Sequence, residues 1–260
     1  MKTLLRCCLW VYGCGWLLTL SAQAQTAPTM ALLGTDPAST TYTGPRYPGG
    51  PDSLRATLRR VLRPANPTLA GQLFLHLELD EQGRTRKARL LRLPAGPAAA
   101  LAVNPEVLVL TGKIVQTLLP WQLGEAVPGQ PDNANSITLP LDFGPTATPP
   151  ALDYSEENPT FPAQKIRGRS VPNLRAFVQM QVLYPAEDIR QRRQGVVYAY
   201  LEVSETGAVE QQRIAGSVSP TLDAEVLRVL ATLPNALTPP RLHGQPVRVG
   251  YVLPFIFKVL

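Results

Sequence analysis

Few side chains in this chain have the types and spacing that catalysis needs. His76 and His243 are far apart, and neither has a partner at metal-binding spacing. His76 falls at the outward phase of an alternating stretch, and His243 precedes Gly244 in a loop. Glu78 and Glu202 occupy matching positions in two similar stretches, so they read as surface charges rather than an acid/base pair. No nucleophile elbow or phosphate-binding loop occurs in a fitting context. All three cysteines (Cys7, Cys8, Cys14) lie in the first apolar segment, so the rest of the chain has no thiol nucleophile, disulfide or thiolate metal site. The expectation is no enzyme, no metal and no cofactor. What remains is backbone chemistry: an extended edge whose unpaired N–H and C=O groups accept another chain.

The stretch best suited to that is the last one. Val247, Val249, Tyr251, Leu253, Phe255, Phe257 and Val259 alternate with Arg248, Gly250, Val252, Pro254, Ile256 and Lys258. The first set predicts a strand with one face buried against a helix. Pro254 lacks an N–H and therefore places this strand at a sheet edge or bulge. A covered edge is the other reading, closed by the same chain, by a second unit or by a homodimer. Tyr184-Pro185 with Arg190 is a second candidate. Its plain structural reading is a helix stop, with Pro185 ending one helix and Tyr184 packing its ring.

The elements that would hold this strand occur twice. Leu73, Leu75, Leu77 and Leu79 share one phase of a stretch that opens at Gly71 and turns at Gly83; Val197, Ala199, Leu201 and Val203 share one phase of a stretch from Gly195 to Gly207. Asn104-Pro105 and Ser219-Pro220 each read as the cap and first residue of a helix. Those helices end at Leu119-Pro120 and Leu233-Pro234. Twenty residues further on stand Leu139-Pro140-Leu141-Asp142-Phe143 and Leu253-Pro254-Phe255-Ile256-Phe257. Together these matches imply an internal duplication. Asp142 is out of character, because the matching Ile256 is apolar. At the start of the first unit, Asp52 or Ser53 is expected to cap a helix striped by Leu54, Leu58, Val61 and Leu62 and stopped at Pro64. A second helix runs from Leu174 to Leu183.

The expected layout is a leader at 1–24, a flexible lead at 25–44, a first unit at 45–144, a proline-rich, semi-rigid linker at 145–165 and a second unit at 166–260. Lys2 and Arg6 precede an apolar run from Leu9 to Leu20, and Ala22-Gln23-Ala24 has the small-x-small form of a cleavage site. That predicts export, with an uncleaved anchor and a lipoprotein lipidated at Cys14 as alternatives. The formal net charge is +6, and losing Lys2 and Arg6 lowers it by two. So small a surplus on an exported chain argues against nucleic acid. Basic residues concentrate between positions 46 and 93, where Arg55, Arg59, Arg84, Arg86, Lys87 and Arg89 are among ten against four acids. This is a solvated face or a surface for an anionic envelope partner.

Helix-Tyr-Pro, a glycine-opened strand, a turn glycine, then Leu222, Asp223, Glu225 and Arg228 on a helix, Leu-Pro, and the closing Leu-Pro-x-x-Phe strand resemble the TonB C-terminal domain. Residues 166–260 carry the resemblance well, and residues 45–144 resemble a divergent second copy. It departs from the family at Asn235 and Pro239-Pro240, where a tryptophan and a Pro-Gly are usual; the first copy keeps Trp121 and Pro128-Gly129. The resemblance implies an α+β fold of two tandem units, each a small antiparallel sheet packed on helices. It implies a periplasmic protein that takes the short peptide box of an outer-membrane transporter by strand addition, at Tyr184, Pro185, Arg190, Val249, Tyr251, Leu253, Phe255 and Phe257. Partnership with the inner-membrane proton-driven motor requires residues 4–20 to remain as an anchor. A non-transducing structural or envelope-binding adaptor is the alternative.

Overall fold

Strict alternation of Leu73, Leu75, Leu77 and Leu79 buries all four at 3% exposure or less, and Val197, Ala199, Leu201 and Val203 repeat the pattern at 0%. These two stretches are the central strands of two sheets. The computed structural model describes residues 29–31, 41–62, 69–125, 134–144, 151–171 and 173–259. The expected leader, the helix stop at Pro64 and Pro128-Gly129 lie outside the described residues.

In chain order, β1 (Thr29–Ala31) is followed by α1 (Gly50–Leu62), β2 (Gly71–Leu79), β3 (Thr85–Leu90), α2 (Pro97–Ala102), α3 (Pro105–Thr117) and β4 (Ser136–Phe143). Three short strands follow, β5 (Thr160–Pro162), β6 (Lys165–Ile166) and β7 (Arg169–Ser170). The rest is α4 (Leu174–Gln181), α5 (Ala186–Arg190), β8 (Gly195–Val203), β9 (Val209–Gly216), α6 (Pro220–Leu230), β10 (Arg241–Leu242), β11 (Gln245–Pro246) and β12 (Val249–Phe257). The fold is α+β. Helix α1 starts at Gly50, so Asp52 sits in its first turn rather than capping it. The caps at Asn104 and Ser219 form as expected, each side chain accepting a backbone N–H of the first turn.

The two main sheets have the same antiparallel plan, β3-β2-β4 and β12-β8-β9, with the glycine-opened strand in the middle. The turn after each central strand closes at a glycine with positive φ, 73° at Gly83 and 86° at Gly207. In each case the chain after Leu-Pro folds back onto it. Trp121 donates its N–H to the Gly83 carbonyl at 2.7 Å, and Ala236 donates to that of Gly207 at 2.8 Å. A β-carbon on Gly83 would meet the Trp121 carbonyl oxygen at 1.8 Å, so both conformation and space require glycine there. Asn235 does local work in the second unit, its Oδ1 accepting the Val209 N–H at 3.1 Å.

The leucine face of β2 joins α1, α2 and α3 in the first core, and the corresponding face of β8 and β12 packs on α4 and α6. The opposite faces meet each other. Phe74 and Tyr200, each 1% exposed, meet between the sheets with centroids 5.3 Å apart and ring planes tilted by 50°. His76 lies against Tyr198, and Arg89 donates to the Tyr198 hydroxyl at 2.9 Å. Ser217 N–H donates to the Arg92 carbonyl at 2.6 Å. The outward phase expected for His76 is thus an inter-sheet phase. Asp142 belongs to the same seam: Gln72 donates to it at 2.6 Å and in turn accepts from Arg213, whose guanidinium lies 4.2 Å above the Tyr200 ring. The result is a helix–sheet–sheet–helix stack, and Asp142 is polar because it faces the other sheet.

The proline-rich stretch is packed where it is described. Leu152, Tyr154 and Phe161 are buried, β5 pairs with β1, and Glu157 bridges both Thr41 and Arg241. Tyr154 enters one core and Leu152 and Phe161 the other, so this segment does not act there as a free spacer.

Candidate functional site

Among the described strands β12 pairs with β8 alone, from Val249 opposite Val203 to Phe257 opposite Gly195. Its odd-numbered side chains, Val249, Tyr251, Leu253, Phe255 and Phe257, are all buried at 4% exposure or less in the second core. They hold the strand on α4 and α6, and only the backbone and the even-numbered side chains remain for a partner. The outer edge is read from two bonds: Gly250 N–H donates outward to Leu152, and Ile256 N–H donates outward to Gln179. Alternation along the strand then points the N–H and C=O of Val252 outward, while Pro254 presents a carbonyl alone.

Each end of this edge meets its own chain. Leu152 forms a parallel bridge with Val249, donating to the Arg248 carbonyl and accepting from Gly250, both at 2.9 Å. At the far end the Gln179 side-chain amide imitates a peptide group: Nε2 donates to the Ile256 carbonyl at 3.3 Å and Oε1 accepts the Ile256 N–H at 3.1 Å. Between them lies a cleft of about 110 Å³ lined by Gly250, Val252 and Pro254 of β12, by Ser136–Thr138 of β4, and by Tyr42, Tyr198, Asp153 and Arg175. The cleft is where the outer strands of the two sheets face each other. Nothing in the sequence flagged Gln179 or Leu152; Pro254 was the one legible sign of an edge.

Tyr184 packs edge-on against Phe257 at 5.3 Å, and its hydroxyl donates to the Arg193 carbonyl. Pro185 takes the extended conformation before α5, and Arg190 ends that helix exposed to solvent. The expected pair of patches is therefore contiguous at Tyr184 and Phe257. Met180, Leu183 and Ile256 are exposed apolar residues from the same elements. Of the two glutamates read as surface charges, Glu78 pairs with Arg86 and Lys87, whereas Glu202 accepts from Tyr200 and pairs with Arg248. Among the described residues no group of three or more His, Cys, Asp or Glu could hold a metal ion, and no helix is long and apolar enough to cross a membrane.

Asp153 carries the unusual electrostatics of the cleft. Burial pushes its carboxyl up to about 7; Arg55 opposes this and Asp142 adds to it. A raised acid pKa means that the folded state holds the proton more tightly than the unfolded chain. That stabilisation is complete below the unfolded value near 4 and is lost as pH rises to about 7. Discounted for the residue's partial exposure, the loss is on the order of 1–3 kcal/mol. Urea midpoints of the wild type should fall across this window, and those of Asp153→Asn should stay flat. Parallel curves for the two proteins would remove Asp153 as the cause.

The family model of the Gram-negative bacterial TonB protein C-terminal region matches residues 180–259, from the end of α4 through β12. Residues 180–259 are similar to a TonB C-terminal domain. Domains of this family are protein-interaction modules, and the site here is made of backbone edge and apolar surface. The searches of curated proteins and of solved structures returned no match.

Proposed function

We propose that the chain is a periplasmic peptide-binding protein whose TonB C-terminal domain takes an extended segment of an outer-membrane transporter by adding it to the edge of β12. The observation that carries this reading is the outward-facing Val252 peptide group on an edge strand, beside the cleft. Main-chain hydrogen bonds supply affinity in such complexes, and pockets for alternate side chains supply selectivity. Tyr184, Pro185 and Arg190 flank the same strand end and complete the surface, with Ile256 presented outward. Residues 45–144 act in this proposal as a divergent second copy that braces the sheet from behind. Energy coupling through the proton-driven motor requires the apolar N-terminal run to persist as an anchor; N-terminal sequencing of the protein recovered from cells decides that point.

Titration of the full chain with TonB-box peptides from transporters of the same cell tests the reading. Saturable binding is expected, and Val252→Pro should weaken it at least tenfold while leaving the fold intact, because its N–H faces away from β8. Equal binding of box and proline-scrambled peptides would defeat the proposal.

The second reading is a structural adaptor that takes no peptide. The occupied ends of the β12 edge and the stacked inner faces of the sheets favour it. It predicts no peptide binding at millimolar concentration and leaves homodimerisation through the remaining edges to be seen by sedimentation.

A further inference from the structure

We infer that residues 151–155 are a built-in pseudo-peptide: they hold the start of the β12 edge, and an outside peptide gains the whole edge only by displacing them. The inference rests on the peptide-binding reading and concerns how that site is regulated. Leu152 does what a bound peptide residue does. Its N–H and C=O both bond the edge, to Arg248 and Gly250, and its side chain is buried at 5% exposure in the second core. The segment is anchored beyond the edge as well. Tyr154 stacks on Tyr42 at 5.0 Å, and the N–H groups of Glu156 and Glu157 both donate to the Arg241 carbonyl. An added strand running the length of Val249–Phe257 would need the outward groups of Gly250, Val252 and Ile256 together. With Leu152 and Gln179 in place, Val252 offers the N–H still facing the cleft, too little for a register-specific strand.

Displacement is feasible because the contact is one bridge rather than a ladder, so few bonds are exchanged when a peptide replaces it. Covalent tethering acts the other way, giving the segment a high effective concentration despite its few contacts. A free peptide must overcome that local concentration, so the intact chain binds weakly and binding tightens once Leu152 is driven off the edge.

The test compares three forms of the full chain, each with Cys7, Cys8 and Cys14 replaced by serine and each shown folded by circular dichroism. One is otherwise unchanged. A second carries L152D, which drives the segment off the core. The third carries L152C/V249C, a bridged pair at strand spacing and within disulfide reach. With TonB-box peptide as the probe, L152D should bind at least tenfold more tightly than the unchanged chain. The oxidised L152C/V249C chain should bind at least tenfold more weakly than the same protein after reduction. Equal affinity of the oxidised and reduced forms, or no gain in L152D, overturns the inference while the peptide-binding reading stands. Failure of every form to bind ends that reading and the inference with it.

Discussion

Phe74→Ala should lower the stability of the whole chain by about 3–5 kcal/mol, and Tyr200→Ala by a similar amount. Both rings are almost wholly buried, and they meet across the seam between the sheets rather than within either unit's own helix-facing core. Truncating Phe74 leaves a cavity that two sheets, each already fixed by its own helices, cannot collapse around. Truncating Tyr200 also removes the hydrogen bond to Glu202 and the face on which Arg213 rests. Because the rings touch, the double variant should lose less than the sum of the singles by about 0.5–1.5 kcal/mol. Urea unfolding followed by both fluorescence and circular dichroism checks this. One coincident transition is expected, moved as a whole by either substitution. If Phe74→Ala shifts an early transition and leaves a later one in place, the two sheets unfold independently and the seam is only a contact.

That seam is also where sequence reading reached its limit. Alternation in Gly71–Leu79 and Gly195–Val203 specifies two strands, each with one apolar face, and the proline-capped helices and Leu-Pro-x-x-Phe strands complete two similar units. All of this is local and legible, because period and caps act over a few residues. What the second face of each sheet meets is a tertiary fact. Phe74 among polar neighbours and Asp142 in place of an apolar residue were the available signs, and they make sense only as a pair of surfaces facing each other. The candidate site divides in the same way. Pro254 reveals an edge, since it cannot sit within a ladder. The capping of that edge depends on Leu152, about a hundred positions upstream in the proline-rich stretch, and on a glutamine side chain standing in for a peptide group. Neither has a periodicity or a motif to announce it.

Asp188→Ala should cost about 2–4 kcal/mol at pH 7, and the cost should shrink in acid. Asp188 is fully buried on α5 and accepts from Ser219 Oγ at 2.8 Å, Thr221 Oγ1 at 2.5 Å and Arg193 Nη1 at 3.4 Å. Ser219 caps α6, so the carboxylate faces the positive end of that helix dipole and ties the Tyr184-Pro185 turn to it. Burial pushes the carboxyl up, but the hydrogen bonds from Thr221, Ser219 and Arg193 outweigh it and hold the group below the usual carboxylate range. A depressed acid pKa contributes stability that is complete above the unfolded value near 4 and is lost as pH falls through the folded value. The gap between wild type and Asp188→Ala should therefore be full at pH 7 and narrow as pH falls through the depressed folded value. Asp188→Asn, which keeps the shape but loses the charge, should fall between them at neutral pH. Urea midpoints at pH 7, 4.5 and 3 measure all three, and a gap that persists undiminished in acid would show that packing, not the carboxylate, holds the turn. The slope is opposite to that of Asp153, whose contribution fades as pH rises. The two aspartates therefore favour the folded chain from opposite directions: Asp188 secures the turn at the end of β12 towards neutral pH, while Asp153 loosens the segment beside its start.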